Sequence, residues 1–142
     1  MQSLRSGLAW LLSLFLIVLF AFAAIAKFVA PPGDNIVFAT LALNTGVAAI
    51  EPTGRYAVGV AEGLVAVLLL FEGTRRWGAL LGFLVLLGAA GAHLSPYLGV
   101  AIAEDFGSQA TDGGSLFQLA LIGLVISVFV MALAPKDAKR RA

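Results

Sequence analysis

The sequence predicts an all-α membrane protein, a bundle of four transmembrane helices with a short interfacial helix between the first and second spans. Of its 142 residues, 61% are hydrophobic and 12% are charged, whereas soluble domains average about 25% charged residues. Four apolar stretches alternate with turn-forming residues. At about 20 residues per span, the chain accommodates these helices as one domain and leaves no room for a separate soluble domain.

The first span is predicted at residues 8–30. Ala24-Ile25-Ala26 is similar to a signal-peptidase site, but the apolar run is longer than a usual signal-sequence core, which favours a retained helix. Pro31-Pro32-Gly33-Asp34 ends the span, because proline cannot continue a helix and glycine with aspartate favours a turn. We expect residues 35–50 to form a short helix at the membrane interface, with a re-entrant segment as the alternative.

The remaining spans are predicted at residues 56–71, 77–94 and 115–134. The first of these is short for a bilayer, about 24 Å at 1.5 Å per residue. On each of these three spans, two small residues lie four positions apart. This spacing lets helix backbones approach closely. This spacing favours packing within the chain, and a homo-oligomer seam is the alternative. The pairs are Gly59 and Gly63, Gly78 and Gly82, and Gly123 and Ser127.

The distribution of basic residues predicts the orientation. The side of the predicted spans that carries most of the Lys and Arg is expected to be cytoplasmic by the positive-inside rule. This places both termini in the cytoplasm and predicts a multi-pass protein of the plasma (inner) membrane, in contact with the lipid bilayer. These basic residues are Arg5, Arg75, Arg76, Lys136, Lys139, Arg140 and Arg141, and the acidic residues of the other side are Asp34, Glu51, Glu104, Asp105 and Asp112.

A single carboxylate, Glu62, interrupts the apolar second span. A charge at this depth is costly and is kept mainly where it faces a bundle interior or a water-filled cavity, usually with a partner. Counting from the predicted helix ends places Lys27, His93 and Gln118 within about 5 Å of the same depth. The sequence therefore predicts an outward-facing polar pocket of Glu62, His93, Lys27 and Gln118, which are candidates for ligand binding or proton relay.

Three of these residues also have structural explanations. Lys27 can extend to the outer headgroups, His93 can bond to a backbone carbonyl, and Gln118 can make a polar contact between helices. Whether Glu62 pairs with Lys27 or with His93 stays open. Beside Lys27 both groups would remain charged, whereas a lone Glu62 in an apolar bundle would favour its neutral form.

The loop before the fourth span contains further carboxylates. Asp112 is expected to cap the fourth helix, a role that Ser115 can also fill. The alternative is that Asp112 and Asp105 extend a proton path from the pocket towards the outer surface.

The chain has no cysteine and one histidine. These counts exclude disulfides, Cys-ligated clusters and a bis-His haem within one chain. We expect no metal, no covalent cofactor and no nucleic-acid partner. If the protein takes part in electron transfer, the carrier is an organic molecule such as a quinone, or it belongs to a partner protein.

Several short motifs occur in order along the spans. They are Lys27-Phe28, Gly59-Val60-Ala61-Glu62, Arg76-Trp77-Gly78-Ala79-Leu80-Leu81, Gly88-Ala89-Ala90-Gly91-Ala92-His93-Leu94 and Asp112-Gly113-Gly114-Ser115-Leu116-Phe117. Together they resemble the DoxX-like family of small four-helix membrane proteins. That family takes its name from a membrane subunit of a thiosulfate:quinone oxidoreductase, and relatives are membrane partners of redox proteins. The resemblance maps the family's polar positions onto Glu62 and His93.

These observations favour an integral membrane subunit of a redox-linked system that binds a quinone-like or other lipophilic molecule in the polar pocket, with a membrane or peripheral redox partner protein. The alternative is a non-enzymatic accessory or assembly subunit of a larger membrane complex, in which the polar cluster is structural. A transporter is disfavoured, because the chain has four short spans and no visible inverted repeat. Whether the protein is an enzyme stays open.

Overall fold

The computed structural model describes residues 2–134, and five α-helices make up most of that range. They are α1 Gln2–Val29, α2 Ile36–Thr45, α3 Thr53–Leu70, α4 Arg75–Leu94 and α5 Ser115–Leu133, with a 3₁₀ turn at Ala48–Ile50. Among the described residues, α1, α3, α4 and α5 are long and apolar enough to cross a membrane. The prediction of an all-α, multi-pass membrane protein is confirmed.

The helix ends differ from the predicted spans by a few residues. α1 begins at Gln2 rather than at residue 8, because the polar residues before the apolar run do not stop a helix. α3 begins at Thr53, so its 18 residues extend over about 27 Å. α4 begins at Arg75, two residues before the predicted start. The bounds differ because hydropathy identifies the residues that can lie in lipid, whereas the α-helix itself continues until a capping or turn residue ends it.

The segment between the first two spans forms the expected short helix. Asn35 begins α2 by accepting a hydrogen bond from the Phe38 N–H (3.3 Å), and Gly46 ends it in the left-handed conformation, φ +72°. α2 contains no buried residue. The Asn44 side-chain amide donates to the Tyr97 carbonyl (2.7 Å), so α2 is attached to the loop between α4 and α5. Its placement at the membrane interface stays a prediction.

The four long helices form a closed ring in which each runs antiparallel to its neighbours. α1 packs against α3 and α5, and α4 packs against the same two helices from the other side. The Arg5 guanidinium donates to the carbonyls of Ala132 (2.7 Å) and Leu133 (3.2 Å), which brings the beginning of α1 to the end of α5. We call this end of the bundle, with Arg5, Arg75 and Arg76, the basic end. The tail at residues 136–141 lies outside the described residues.

The opposite end, which we call the acidic end, contains the α1–α3 connection and the α4–α5 loop. The core between the two ends consists of apolar side chains from all four long helices. Because lipid is as apolar as these side chains, close packing rather than water exclusion holds such helices together. The buried cluster comprises Leu16, Phe20, Val65, Ala66, Leu69, Ala79, Leu86, Ala120 and Val130.

Glycines permit this close packing at several predicted positions. A Cβ at Gly82 would lie 2.9 Å from a Phe20 ring atom, and one at Gly123 would lie 2.7 Å from a Leu86 methyl group. A Cβ at Gly78 would meet the backbone of α3, 3.0 Å from the carbonyl carbon of Leu68. Gly63 differs, since nothing lies within 4 Å of its Cβ position.

Gly78 gives a direct test of this packing. We expect Gly78→Ala to lower the free energy of unfolding by about 1–3 kcal/mol, because the α3 backbone must move to admit the methyl group. Gly88 is the matched control on the same helix, with nothing within 4 Å of its Cβ position. Gly88→Ala should be neutral or stabilising by up to about 1 kcal/mol. Reversible unfolding in mixed detergent measures both, and equal effects would contradict the packing described.

Candidate functional site

An ion pair inside the bundle joins α1 to α3. The Lys27 ammonium lies 2.8 Å from Oε1 of Glu62. Glu62 is 7% exposed, and the Lys27 side chain is 15% exposed. Helical side chains lean towards the N-terminus of their helix. The Lys27 ammonium accordingly lies 3.5 Å from the Ala23 carbonyl oxygen, one turn earlier on α1. In the structure, Glu62 therefore pairs with Lys27 and not with His93.

Gly59 makes this pairing sterically feasible. A Cβ at this position would lie 3.2 Å from the Lys27 Cβ and 3.0 Å from a Phe28 ring atom. α1 and α3 therefore touch one turn before Glu62, and residues three apart on a helix share a face. This contact explains the motif Gly59-Val60-Ala61-Glu62 in physical terms. The glycine allows α1 to pack closely against α3, and the glutamate on the same face pairs with Lys27.

The second carboxylate oxygen of Glu62 has no such partner. Oε2 is buried and has no hydrogen-bond partner among the described residues. A carboxylate accepts hydrogen bonds at about four lone-pair positions, and burying an unsatisfied acceptor costs free energy. Oε2 is therefore an acceptor available to a donor group that residues 2–134 do not supply.

Aromatic side chains lie near the lysine of the pair, and one of them contacts its ammonium. The Phe38 ring of α2 has its centroid 5.7 Å from the Lys27 ammonium, within the range of a cation–π contact. Phe28 and Tyr56 stack in parallel, 5.6 Å between centroids and 1° between planes. We call Phe28, Phe38 and Tyr56 the aromatic cover.

Arg55 is a buried cation that the sequence analysis missed. Its guanidinium donates to the carbonyls of Lys27, Ala30 (2.8 Å) and Pro31 (3.2 Å) and lies 3.0 Å from Oε1 of Glu51. The last carbonyls of a helix lack intrahelical partners. By donating to carbonyls at this point, Arg55 caps the C-terminal end of α1, next to Lys27. The available signal was the four-residue spacing of Glu51 and Arg55, which places opposite charges together where a helix begins.

His93 is buried but does not join the ion pair. Its Nδ1 lies 2.9 Å from the Gly99 carbonyl, and because a carbonyl only accepts, Nδ1 carries the proton. Val65 lies against Gly82, and Leu69 lies against Gly78. Because α3 and α4 are antiparallel, residues at the same level of the two helices have numbers that add up to 147. His93 then lies level with residue 54, eight residues or about 12 Å along the axis from Glu62.

Gln118 also lies apart from the ion pair. It is exposed and makes no side-chain hydrogen bond to the described residues, while Ala120 and Gly123 form the buried face of α5. The structure thus brings together Lys27 and Glu62, two of the four predicted site residues. Ligand-binding roles for His93 and Gln118 stay predictions.

Asp112 caps the beginning of α5, which is the fourth predicted span, as expected. Its carboxylate accepts hydrogen bonds from the backbone N–H groups of Ile102 (2.9 Å), Gly114 (2.9 Å) and Leu116 (3.1 Å) and from the Ser115 hydroxyl (3.4 Å). Desolvation raises the pKa of Asp112, but these hydrogen bonds together hold the pKa below its ordinary value. Asp105 is exposed and accepts only from the Phe106 N–H, so it makes no contact that continues a path from Asp112.

The family model described as Methylamine utilisation protein MauE matches residues 5–134. The chain belongs to the MauE family. The match covers all four long helices and both members of the ion pair. No curated protein and no solved structure matches the chain.

Membership in the MauE family supports the prediction of a small integral membrane protein. It also implies a membrane accessory role in a methylamine utilisation or redox system. Within residues 2–134 of this MauE-family protein, no three His, Cys, Asp or Glu side chains come together in a way that would hold a metal ion.

Arg55 is testable by a charge-conserving change. We expect Arg55→Lys to lower the free energy of unfolding by about 1–3 kcal/mol, because a compact ammonium cannot reproduce the planar fork that reaches several carbonyls. Arg76→Lys is the matched control, since Arg76 is exposed and makes no side-chain hydrogen bond to described residues; its effect should stay within about 0.5 kcal/mol. An Arg55→Lys variant as stable as the wild type would contradict the capping role.

Asp112 predicts a pH dependence of stability. Its folded-state pKa is below the unfolded value, so its contribution is fully present above about pH 4. The contribution is lost as the pH falls through the folded-state pKa. Asp112→Asn should therefore cost more stability at pH 6 than at pH 3, as measured by thermal unfolding in detergent. An equal cost at both pH values would show that the carboxylate charge does not contribute.

Proposed function

We propose that this MauE-family protein is an integral membrane subunit of a methylamine-utilisation or related redox system and that it binds a quinone-like molecule at the Lys27–Glu62 pair. The observation that carries the proposal is Glu62 Oε2, a buried acceptor with no partner among the described residues. Family membership supports the redox context, and the resemblance to the DoxX-like family points the same way.

The ion pair has the donors and acceptors that the head of such a molecule needs. A lysine ammonium has three donors, of which one serves Glu62 and one approaches Ala23, so one is left for a quinone carbonyl. Oε2 of Glu62 accepts from a hydroxyl, as a quinol would present. The chain supplies binding and a route for a proton between carboxylate and ligand, while the electrons belong to the ligand and to a redox partner.

The aromatic cover suits a planar ring. The Phe28 and Tyr56 rings stack on each other, and the ring of a ligand would pack edge-to-face against them, an arrangement that aromatic rings also favour. The apolar tail of such a ligand would extend along exposed apolar positions of α1 and α3, for example Ile25 and Val60. Charge alone would not select a lipophilic ligand, whereas a charge pair beside aromatic faces within a membrane does.

The orientation is part of the same proposal. With the basic end in the cytoplasm of the plasma (inner) membrane, the ion pair lies in the outer part of the bundle. The membrane or peripheral redox partner would then dock on the outer side, where α2 and the α4–α5 loop lie.

A second candidate function is a non-enzymatic accessory or assembly subunit. The observation that favours it is α2, an apolar helix without a buried residue, on which Leu43 is 82% exposed. A partner subunit that covers α2 would hold the complex together, and the ion pair would then serve packing alone. Small-to-large changes at Gly59 or Gly82 would abolish assembly, and Glu62→Gln would not.

Glu62→Gln separates the two candidates. It keeps the side-chain shape but removes the charge that holds Lys27, and we expect the Kd for a short-chain quinone to rise at least about tenfold, or 1.4 kcal/mol. Glu72→Gln is the matched control, because it makes the same change at an exposed carboxylate just beyond the other end of α3; its Kd should stay within about twofold. Calorimetric titration of the detergent-solubilised protein measures both, and equal affinities would contradict the proposal.

A double variant distinguishes ligand binding from stability. Replacing a buried ion pair by apolar groups of similar volume is often neutral or stabilising. We therefore expect Lys27→Met with Glu62→Leu to unfold at the wild-type temperature or above and to lose quinone binding. A double variant that binds the quinone with wild-type affinity would refute the site.

A further inference from the structure

Two consecutive arginines begin α4 at the basic end, and their side chains have different surroundings. Arg75 is buried, donates from Nε to the Leu69 carbonyl (3.3 Å) and places its guanidinium carbon 4.6 Å from the Trp10 ring centroid. Arg76 is exposed and has no side-chain partner among the described residues. Arg75 thus serves the bundle, whereas Arg76 faces its surroundings.

Arg76 lines a groove between α4 and α5. The groove has a volume of about 250 Å³, and its other lining residues are Trp77, Leu80 and Met131. Trp77 is 67% exposed, and tryptophan is enriched at the headgroup level of membranes. Among the described residues, the groove therefore combines the Arg76 cation with apolar walls, at the basic end of the bundle.

The backbone adds donors beside this cation. The N–H groups of Thr74 and Arg75 both bond to the Phe71 carbonyl, and that of Gly78 bonds to the Thr74 carbonyl. The N–H groups of Arg76 and Trp77 have no backbone partner among the described residues. α4 has 20 residues, and the beginning of a helix this long favours an anion through its dipole and its free N–H groups.

We propose that this groove binds one anionic phospholipid. The headgroup phosphate lies at Arg76 and the first-turn N–H groups of α4, and an acyl chain lies along Trp77, Leu80 and Met131. A basic pocket between transmembrane helices on the cytoplasmic side is a setting in which such headgroups bind. This site is at the opposite end from the Lys27–Glu62 pair and does not depend on the quinone proposal.

The charge and the lining argue against other occupants. A two-fold dimer through this groove would bring the same patch of both copies together, so that two Arg76 guanidinium groups would repel each other. A soluble phosphate ester would use the cation and leave the apolar walls unused. An anionic phospholipid uses both features.

Native mass spectrometry of the full chain tests the site with two lipids as probes, phosphatidylglycerol and phosphatidylcholine. After delipidation and titration, we expect the wild type to retain one phosphatidylglycerol at about fivefold lower lipid concentration than phosphatidylcholine. Arg76→Gln should abolish this preference, and Arg76→Lys should keep most of it. Lys139→Gln is the control, because it removes one positive charge from the basic tail and changes none of the residues that line the groove.

Four results would overturn the proposal. The first is equal retention of the two lipids by the wild type, and the second is an Arg76→Gln variant that behaves as Lys139→Gln does. The third is displacement of the lipid by millimolar glycerol phosphate. The fourth is a wild-type dimer that dissociates in Trp77→Ala without loss of lipid. Loss of the phosphatidylglycerol preference in Trp77→Ala, with the chain monomeric throughout, would support the acyl-chain half of the site.

Discussion

The Lys27–Glu62 ion pair is the interaction on which the outer half of the bundle depends, because neither charge can be left alone in hydrocarbon. Its geometry requires α1 and α3 to touch, and Gly59 provides the contact. It also requires Lys27 to stay within the last turn of α1, and Arg55 fixes that end by binding its carbonyls. Within the ion pair, Oε2 of Glu62 is left without a partner among the described residues. The proposed ligand would satisfy that oxygen.

A second regularity concerns helix ends. Arg5, Arg55 and Arg75 each donate to carbonyls near the C-terminal end of a long helix, namely α5, α1 and α3. The negative end of a helix dipole favours a cation, and guanidinium reaches several carbonyls at once. Each capping arginine lies near the beginning of a different helix, so these contacts also fix neighbouring helices side by side. The exposed Arg76 differs from these three residues, and this difference is the basis of the proposed lipid site.

The sequence was sufficient for the spans and for the need of Glu62 for a partner, and the reasons are physical. Hydropathy sets which segments can cross a membrane, and the cost of burying Glu62 demanded a partner. Depth counting offered both Lys27 and His93, and the structure decides for Lys27. Depth counting failed for His93, since it assumes where each helix enters the membrane and knows nothing of the register between α3 and α4. Gln118 was misplaced for a related reason, because depth does not reveal which face of α5 meets the bundle. Arg55 was missed because the second span was predicted to begin at residue 56, whereas the helix begins at Thr53.

Photolabelling of the protein in its own membrane tests most directly whether a quinone head binds at the Lys27–Glu62 pair. A short-chain quinone with a photoreactive group would be irradiated with the membranes, and the labelled peptides would be mapped by mass spectrometry. We expect labelling of the outer halves of α1 and α3, around Lys27 and Glu62, that excess unlabelled quinone suppresses. Labelling spread over the lipid-facing side chains, or concentrated on α4 and α5 and insensitive to competitor, would contradict it.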